Sequence, residues 1–473
     1  MKFSTFFAAL LLVQVFTLVG CSDSTTNTLA HKHPSVESAN IQSSTAHNPP
    51  QVGFFAPGGG KEDFASKVDI QLYNLHNLEG LKKNLQLASS QGMKLFLALG
   101  LPPMLVEDIA TDYRVEGKVY KKQLAPSAAV KLRRTVSREK YAAYLAPFLE
   151  VMADYSDTLE AVFLSDEPYL NGVSFQDLDQ MALDVRYLLD SVGLDKVKIG
   201  AVFASAMFNA GFAQHIDAAS SAYAYSIDRY FLAIKEKEAK GEAAAQELQW
   251  LDDIKRFRLT TYDKANNMYV GGGLPTSLDI VGFDFYLSTL LQDGVHNESL
   301  QWFAKQKLHP SCKGFEKTSI NKLRKDLSFW DAEDKMTDNP ALQAKQAAKD
   351  KALLDQWYTC RTESVFALLQ QEIKQSERPN REVLLVSESS TNGVMAFDAG
   401  GNMLVDQQLH LSHQRVIDEV VRALEFVKRH PVDHLLFFTY EDQFDLSINL
   451  NIGGVSGIPE ALHLIYQNAK RAQ

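Results

Sequence analysis

The sequence predicts an α/β fold, a (β/α)8 TIM barrel with long helical insertions. Eight short, almost continuous apolar runs follow residue 50, helical patterns separate them, and 473 residues leave room for eight such units. Strands that are apolar on both faces are typical of a parallel sheet covered by helices, and eight βα units fit a barrel. A doubly wound open sheet is the structural alternative, because a strand count does not establish that the sheet closes.

The predicted strands alternate with helical patterns along the whole chain after residue 50. They occupy 52–57, 68–75, 93–100, 159–168, 197–205, 278–287, 382–389 and 434–442. Helical periodicity ahead of Gly92, Gly193 and Pro431 predicts helices that end at these residues. Long insertions are predicted after strands three, five and six, on the face where barrels form their sites, at 101–139, 206–276 and 288–381.

Residues 1–20 have the layout of a secretory signal, in which Lys2 precedes an apolar stretch too short to span a bilayer comfortably. The stretch ends in Leu18-Val19-Gly20-Cys21, which resembles the bacterial lipobox. That resemblance implies that residues 1–20 are removed and that Cys21 is lipidated. Ser22, in place of Asp, implies by the same resemblance the outer membrane of a Gram-negative envelope. An ordinary secretory signal with a chance cysteine is the alternative.

Residues 21–50 are rich in Ser, Thr, Asn and Pro and contain few apolar residues. Such a composition buries too little apolar surface to fold, so we expect a disordered tether. The barrel domain then spans 51–473.

The composition indicates which binding partners and cofactors to expect. There are 48 Lys and Arg against 58 Asp and Glu, a net charge of −10, which argues against a nucleic-acid partner. No metal-ligand motif follows a strand, so neither a metal nor another cofactor is expected.

Cys312 and Cys360 share the third insertion, where an oxidising compartment would let them form a disulfide; two separate buried thiols are the alternative. The sequence leaves the oligomeric state open.

Two glutamates lie at the carboxyl ends of predicted apolar strands. Glu167 ends strand four, where Pro168 biases it toward extended geometry. Glu388 ends strand seven on the same side as Leu384 and Val386. Burying a carboxylate at the end of an apolar strand costs free energy unless the carboxylate reaches solvent, a partner or a substrate. Because a barrel brings strand ends to one mouth, the pair has the residue types that glycosidic cleavage uses.

Asp166-Glu167-Pro168 resembles the strand-four Asn-Glu-Pro motif of the retaining (β/α)8 glycoside hydrolases, whose catalytic glutamates lie on strands four and seven. The resemblance implies that Glu167 is the general acid/base and Glu388 the nucleophile. Asp284-Phe285-Tyr286 is similar to the strand-six Asn-Tyr-Tyr segment of the β-glucosidase branch, which implies that Tyr286 orients the nucleophile. The further substrate-binding candidates also lie near strand ends: Asp166, Asp284, His76, Asn77, Tyr440 and Glu441.

The sequence departs from that family in two places. Asp166 stands where the family has Asn, and an ionised Asp accepts hydrogen bonds but cannot donate them. Strand eight lacks the family's platform tryptophan.

The predicted function is a lipid-anchored enzyme that hydrolyses poly- or oligosaccharides with retention, so its partners are a carbohydrate and, through Cys21, a membrane. The alternatives are a non-catalytic glycan- or envelope-binding barrel lipoprotein and a barrel hydrolase for a non-sugar substrate.

Overall fold

The computed structural model describes the barrel and parts of its insertions. The described residues are 48–55, 59–108, 113–115, 118–120, 131–133, 136–169, 173–219, 236–241, 262–263, 268–269, 272–287, 294–317, 320–329, 337, 339–391, 409–445 and 450–469. The predicted signal, most of the tether and Cys21 lie outside these residues.

Eight parallel strands close into a barrel in which β1 pairs with both β2 and β8. They are β1 Gln51–Phe55, β2 Ile70–Asn74, β3 Lys94–Ala98, β4 Leu159–Asp166, β5 Lys198–Phe203, β6 Ile280–Phe285, β7 Glu382–Glu388 and β8 His434–Phe438. Each lies within, or within one residue of, a predicted strand. The predicted fold class is therefore confirmed, and the doubly wound alternative is wrong because the sheet has no open edge.

Helices follow the strands and pack against the outside of the barrel. They are α1 Glu62–Ala65, α2 Leu78–Gln91, α3 Pro102–Leu105, α4 Arg138–Asp154, α5 Phe175–Asp190, α6 Ala210–Ala219, α7 Gly294–Gln306, α8 Ile320–Asp326, α9 Pro340–Gln375, α10 Leu409–Arg429 and α11 Pro459–Asn468. Helix α2 ends at Gly92, whose φ of 66° is left-handed and favours glycine. No helix in the described part of the chain is long and apolar enough to cross a membrane.

Side chains fill the barrel interior, so it is a packed core and not a pore. The apolar residues that face inward alternate along the strands: Phe55, Ile70, Leu72, Phe96, Ala161, Phe163, Val202, Ile280, Leu384, Val386 and Leu436. Along β7 the same period takes Leu384 and Val386 to Glu388 at the carboxyl end. A larger apolar core lies between the strands and the helices.

The segment after β6 contributes α7, α8 and the 36-residue α9. A disulfide joins Cys312, in a short 3-10 turn, to Cys360 in the middle of α9. Trp357 of α9 is fully buried, and Phe303 of α7 stacks on Phe212 of α6. The helices of this insertion are thus packed against the barrel and against one another.

Candidate active site

Glu167 directly follows β4 at the carboxyl-end mouth of the barrel. Its backbone N–H donates to the Val202 carbonyl of β5 at 2.8 Å, and its φ is +45°. The expectation that Pro168 holds Glu167 in extended geometry is therefore wrong. The register with β5 shifts between Phe163 and Asp166, and the bond to Val202 holds the shifted backbone in the left-handed region. Non-glycine residues are uncommon in that region, and strained residues of this kind concentrate at functional sites.

Glu388 ends β7 and is almost fully buried, with 1% of its surface exposed. The Ser390 hydroxyl donates to its Oε1 at 3.2 Å. Just beyond, the Thr391 N–H donates to the Gly453 carbonyl, and the Gly453 N–H donates back to the Thr391 hydroxyl. The chain after β7 is therefore tied to the segment after β8, which fixes the position of the Glu388 carboxyl.

Asp284 lies on β6 and its carboxyl is buried. Its Oδ1 accepts the Ser205 N–H at 3.2 Å, and its carboxyl accepts a hydrogen bond from the Glu167 carboxyl. Burial raises the pKa of Asp284, whereas the bond from Glu167 and the charge of Arg361 oppose that rise. A hydrogen bond between two carboxyls requires one proton, which the two side chains share.

Asp166 lies beside this pair. Burial within the mouth and the neighbouring Asp284 raise the pKa of Asp166 to about 7. Its side chain is nevertheless accessible to solvent, so the protein encloses the carboxyl while leaving one side open to water. Like charges so close together disfavour simultaneous ionisation, and the carboxyls of Asp166 and Asp284 therefore titrate together.

Tyr286 connects this group to Glu388. Burial, followed by the charges of Asp166, Asp284, Glu167 and Glu388, raises the pKa of Tyr286 well above its usual value. Its hydroxyl therefore stays neutral and available as a hydrogen-bond donor. Since both glutamates act electrostatically on one tyrosine, the ends of β4 and β7 converge on the same region of the mouth.

Two further residues lie at the mouth, of which Asn74 is placed by the sequence at the end of strand two and Phe438 was not singled out from the sequence. Phe438 ends β8, is half-buried, and packs edge-on against Tyr286 at 5.5 Å and Phe55 at 5.6 Å. The peptide bond between Phe438 and Thr439 is cis. Asn74 ends β2 and is also half-buried. The alternation that places Leu436 and Leu72 inside the barrel would have pointed to both residues.

Tyr440, predicted to bind substrate, lies in the core beside β8 in this structure. It is buried between Phe54 and Phe64, with ring centroids at 4.8 and 4.6 Å, and its hydroxyl donates to Asp63. The strand was predicted to run to residue 442, but β8 ends at Phe438, so Tyr440 lies beyond its carboxyl end.

The other predicted contacts lie at the rim and have local partners. Asn77 caps α2, its side-chain oxygen accepting the Gly80 N–H at 2.8 Å. His76 is exposed and packs edge-on against Tyr73. Glu441 forms a surface ion pair with Lys61 at 2.8 Å. Among the described residues, no group of three or more His, Cys, Asp or Glu side chains is arranged to hold a metal ion.

Comparisons with known proteins bear on the fold. No protein-family model and no curated protein sequence matches the chain. Among solved structures, the chain is similar to a β-glucosidase from Thermotoga maritima in complex with deoxynojirimycin, at 12% identity over 86% of this chain and 85% of that chain, with a TM-score of 0.33. It is also similar to GH26C from a Muricauda species, at 10% identity over 90% and 87%, TM-score 0.33. A third is a Cellulomonas fimi endo-β-1,4-mannanase double mutant, at 9% identity over 89% and 70%, TM-score 0.34. Likeness this remote carries no argument about activity, so the functional inference rests on the site.

Proposed function

We propose that this chain is a lipid-anchored glycoside hydrolase that cleaves poly- or oligosaccharides with retention of configuration. One observation carries the proposal: Glu167 and Glu388 both act on Tyr286, although they come from strands on different sides of the mouth. Two carboxyls at one open mouth are what glycosidic cleavage requires.

In this mechanism Glu388 attacks the anomeric carbon while Glu167 gives its proton to the departing oxygen. The bond between the sugar and its leaving group breaks, and the sugar becomes esterified to Glu388. Glu167, now a carboxylate, takes a proton from water; the resulting hydroxide attacks the same carbon and frees Glu388. Protons and electrons balance over the two steps, and the reaction needs no cofactor.

The Glu167–Asp284 hydrogen bond supports the acid role of Glu167. A general acid must carry its proton when the substrate arrives, and the buried Asp284 carboxyl accepts that proton's hydrogen bond. Glu388 accepts from the Ser390 hydroxyl, as suits an ionised nucleophile. Its charge also acts on the buried Glu419, and burial followed by that charge raises the pKa of Glu419 well above its usual value.

The residues proposed to bind sugar are Asp166, Tyr286, Phe438 and Asn74. With a pKa of about 7, Asp166 carries a proton below neutral pH. It can then donate a hydrogen bond as the family's Asn does. Phe438 supplies an apolar ring beside Tyr286, which suits the apolar face of a sugar ring.

The proposed location follows from the N-terminal sequence. Cys21 would hold the acyl chains, residues 21–50 would form the tether, and the barrel would work at the outer membrane on its periplasmic or external side. Cys21→Ser tests this: the variant protein should move from the membrane fraction to the soluble fraction.

A screen of the purified protein against polysaccharides, with the product anomer read by NMR, tests the activity. We expect release of products with the anomeric configuration of the substrate. Glu388→Gln should abolish turnover and keep the fold, whereas Glu377→Gln, at an exposed position between α9 and the start of β7, is the matched control and should keep full activity. A wild-type protein that binds glycans without cleaving any would instead favour the binding-protein alternative, and Glu388→Gln with wild-type turnover would reject Glu388 as nucleophile.

A further inference from the structure

Ser390 lies two residues beyond Glu388 and is buried, with 1% of its surface exposed. Its hydroxyl donates to Glu388 Oε1 at 3.2 Å. A buried hydroxyl loses its hydrogen bonds to water, so its burial is costly unless a partner inside the protein replaces them. The Glu388 carboxylate is such a partner, and a hydrogen bond to a charged group is stronger than one between neutral groups. The two side chains therefore stabilise each other at the mouth.

Backbone hydrogen bonds hold Ser390 from both sides. Before it, the Ser389 N–H donates at 2.5 Å to the carbonyl of Phe438, the last residue of β8. After it, the Thr391 N–H donates to the Gly453 carbonyl at 2.9 Å, and the Gly453 N–H donates to the Thr391 hydroxyl at 2.8 Å. Because both neighbours of Ser390 are bonded to β8 or to the segment that follows it, the fold places the Ser390 hydroxyl before any substrate binds.

On the mouth side, the titratable groups around Glu388 are neutral or acidic. The charge of Glu388 acts on Tyr286 of β6, and so do the charges of Asp166, Asp284 and Glu167. The Tyr286 hydroxyl stays neutral, because burial and these charges raise its pKa well above its usual value. None of these four groups brings a positive charge to Glu388.

On the helix side, Glu388 acts on Glu419 of α10, which is buried with 2% of its surface exposed. Arg422, one turn further along α10, acts on Glu419, and its Nε pairs with Asp355 of α9 at 2.6 Å. The positive charge on this side is therefore engaged by two other acids. The ionised form of Glu388 depends on neutral hydrogen-bond donors, of which the Ser390 hydroxyl is one.

We propose that Ser390 is a positioning residue for Glu388, whose hydroxyl fixes the orientation of the Glu388 carboxyl and stabilises its ionised form. The catalytic part of this inference rests on the function proposed above, in which ionised Glu388 attacks the anomeric carbon. The structural part does not, since the hydrogen bond belongs to the protein without substrate. Removing the hydroxyl takes a donor from the carboxylate, so Glu388 should take up a proton at higher pH.

A titration followed by ¹³C NMR tests the structural part. The protein is labelled at the side-chain carboxyls of its glutamates, and the Glu388 signal is the one that disappears in Glu388→Gln. Glu419→Gln identifies the signal of its neighbour in the same way. In Ser390→Ala, we expect the titration midpoint of Glu388 to lie on the order of one pH unit higher than in the wild-type protein, the size expected for a lost hydrogen bond to a charged group. An unchanged midpoint would overturn the proposal.

Ser389→Ala is the matched control. Ser389 is the neighbouring serine and is equally buried, but its hydroxyl has no hydrogen-bond partner among the described residues. Its removal should leave the Glu388 midpoint where it is in the wild-type protein. Ser390→Thr keeps a hydroxyl and should also stay close to the wild-type midpoint, whereas Ser390→Val, of nearly the same shape, should behave as Ser390→Ala. The comparison of threonine with valine keeps the test available should Ser390→Ala fail to fold.

Kinetics test the catalytic part on a glycoside that the polysaccharide screen identifies. In Ser390→Ala, the acidic limb of the kcat/KM profile should move to higher pH by the same amount as the NMR midpoint, because the attacking carboxylate must be ionised. Above that limb, kcat should fall about tenfold with KM within about threefold, since the carboxylate is less well oriented. Ser390→Thr should restore most of both losses.

The outcomes separate a positioning role from a packing role. A fall in kcat that is equal in Ser389→Ala and Ser390→Ala, with no shift of the acidic limb, would mean that the segment after β7 only needs its packing, and would overturn the positioning role. A wild-type protein that cleaves no glycoside would reject the proposed function. The NMR titration would then still decide whether Ser390 stabilises the ionised form of Glu388.

Discussion

Glu167 at the end of β4 and the buried Asp284 of β6 share a hydrogen bond, carboxyl to carboxyl, at the mouth of the barrel. Asp284 is buried and Glu167 is half-buried, so the pair cannot lose its shared proton without placing two like charges side by side. This pairing gives the two glutamates of the site different environments, as acid and nucleophile roles require.

Asp284→Asn should shift the basic limb of the kcat/KM profile to lower pH. The amide removes the negative charge that holds the proton on Glu167, so Glu167 loses that proton at lower pH than in the wild-type protein. Initial rates between pH 4 and 9 on a glycoside with a poor leaving group measure the shift. An unchanged basic limb would show that the limb belongs to another group.

Asp166→Asn should retain activity below pH 7 and extend it above pH 7. Burial and Asp284 raise the pKa of Asp166 to about 7, so the wild-type carboxyl donates below that pH and is ionised above it. An amide donates at every pH. The same rate profile, compared with that of Asp166→Glu, measures the effect. Loss of activity across the whole pH range would mean that the carboxylate itself is needed.

Local patterns predicted the parts of the site that depend on a single strand. Alternation along β7 placed Glu388 on the inner side, next to Val386 and Leu384, and the structure has them there. Contacts that join distant segments left no local signal. Arg361 and Ser205 are 156 residues apart, and nothing near either one marks it as part of the mouth.

Local rules also failed where a tertiary contact opposed them. Pro168 favours extended geometry at the preceding residue, yet the bond from the Glu167 N–H to Val202 holds a left-handed φ. The alternation of β8 holds as far as Phe438 and not to Tyr440, because the strand ends there.

Glu382→Gln should destabilise the protein at neutral pH and have little effect near pH 2. Burial raises the pKa of Glu382, but hydrogen bonds from His434 and Lys198 outweigh it and lower the pKa to about 2. Because the pKa of Glu382 is lower in the folded protein than its value of 4.5 in the unfolded protein, the ionised side chain stabilises the fold above pH 4.5. This contribution is lost as the pH falls from 4.5 toward 2. We expect a loss on the order of 2 kcal/mol at pH 7, measured by urea denaturation at pH 7 and pH 3.

The control for that experiment is Glu441→Gln, since Glu441 forms an exposed pair with Lys61. Exposed pairs contribute about 0–1 kcal/mol. A similar loss in both variants, or a loss in Glu382→Gln that does not shrink with falling pH, would contradict the assignment.

Replacing both Cys312 and Cys360 with serine should lower the free energy of unfolding by about 4 kcal/mol, the loop-closure estimate for a separation of 48 residues. The same loss should follow reduction of the wild-type protein, while the double variant should not respond to reductant. Thermal unfolding with and without reductant provides the comparison. Equal stability of oxidised and reduced wild-type protein would show that the disulfide does not form in solution.

Phe438→Ala should raise KM about tenfold with kcat within about threefold, because one aromatic contact contributes about 0.5–1.5 kcal/mol. The ring lies half-buried beside Tyr286 at the mouth, where it can contact a bound sugar without touching the reacting atoms. Phe438→Trp should restore or improve KM. Tyr440→Phe is the paired control, since it removes only the hydroxyl that donates to the exposed Asp63 of α1 and should leave KM unchanged. A rise in KM with Tyr440→Phe and none with Phe438→Ala would reverse the assignment of the two aromatic residues at the carboxyl end of β8.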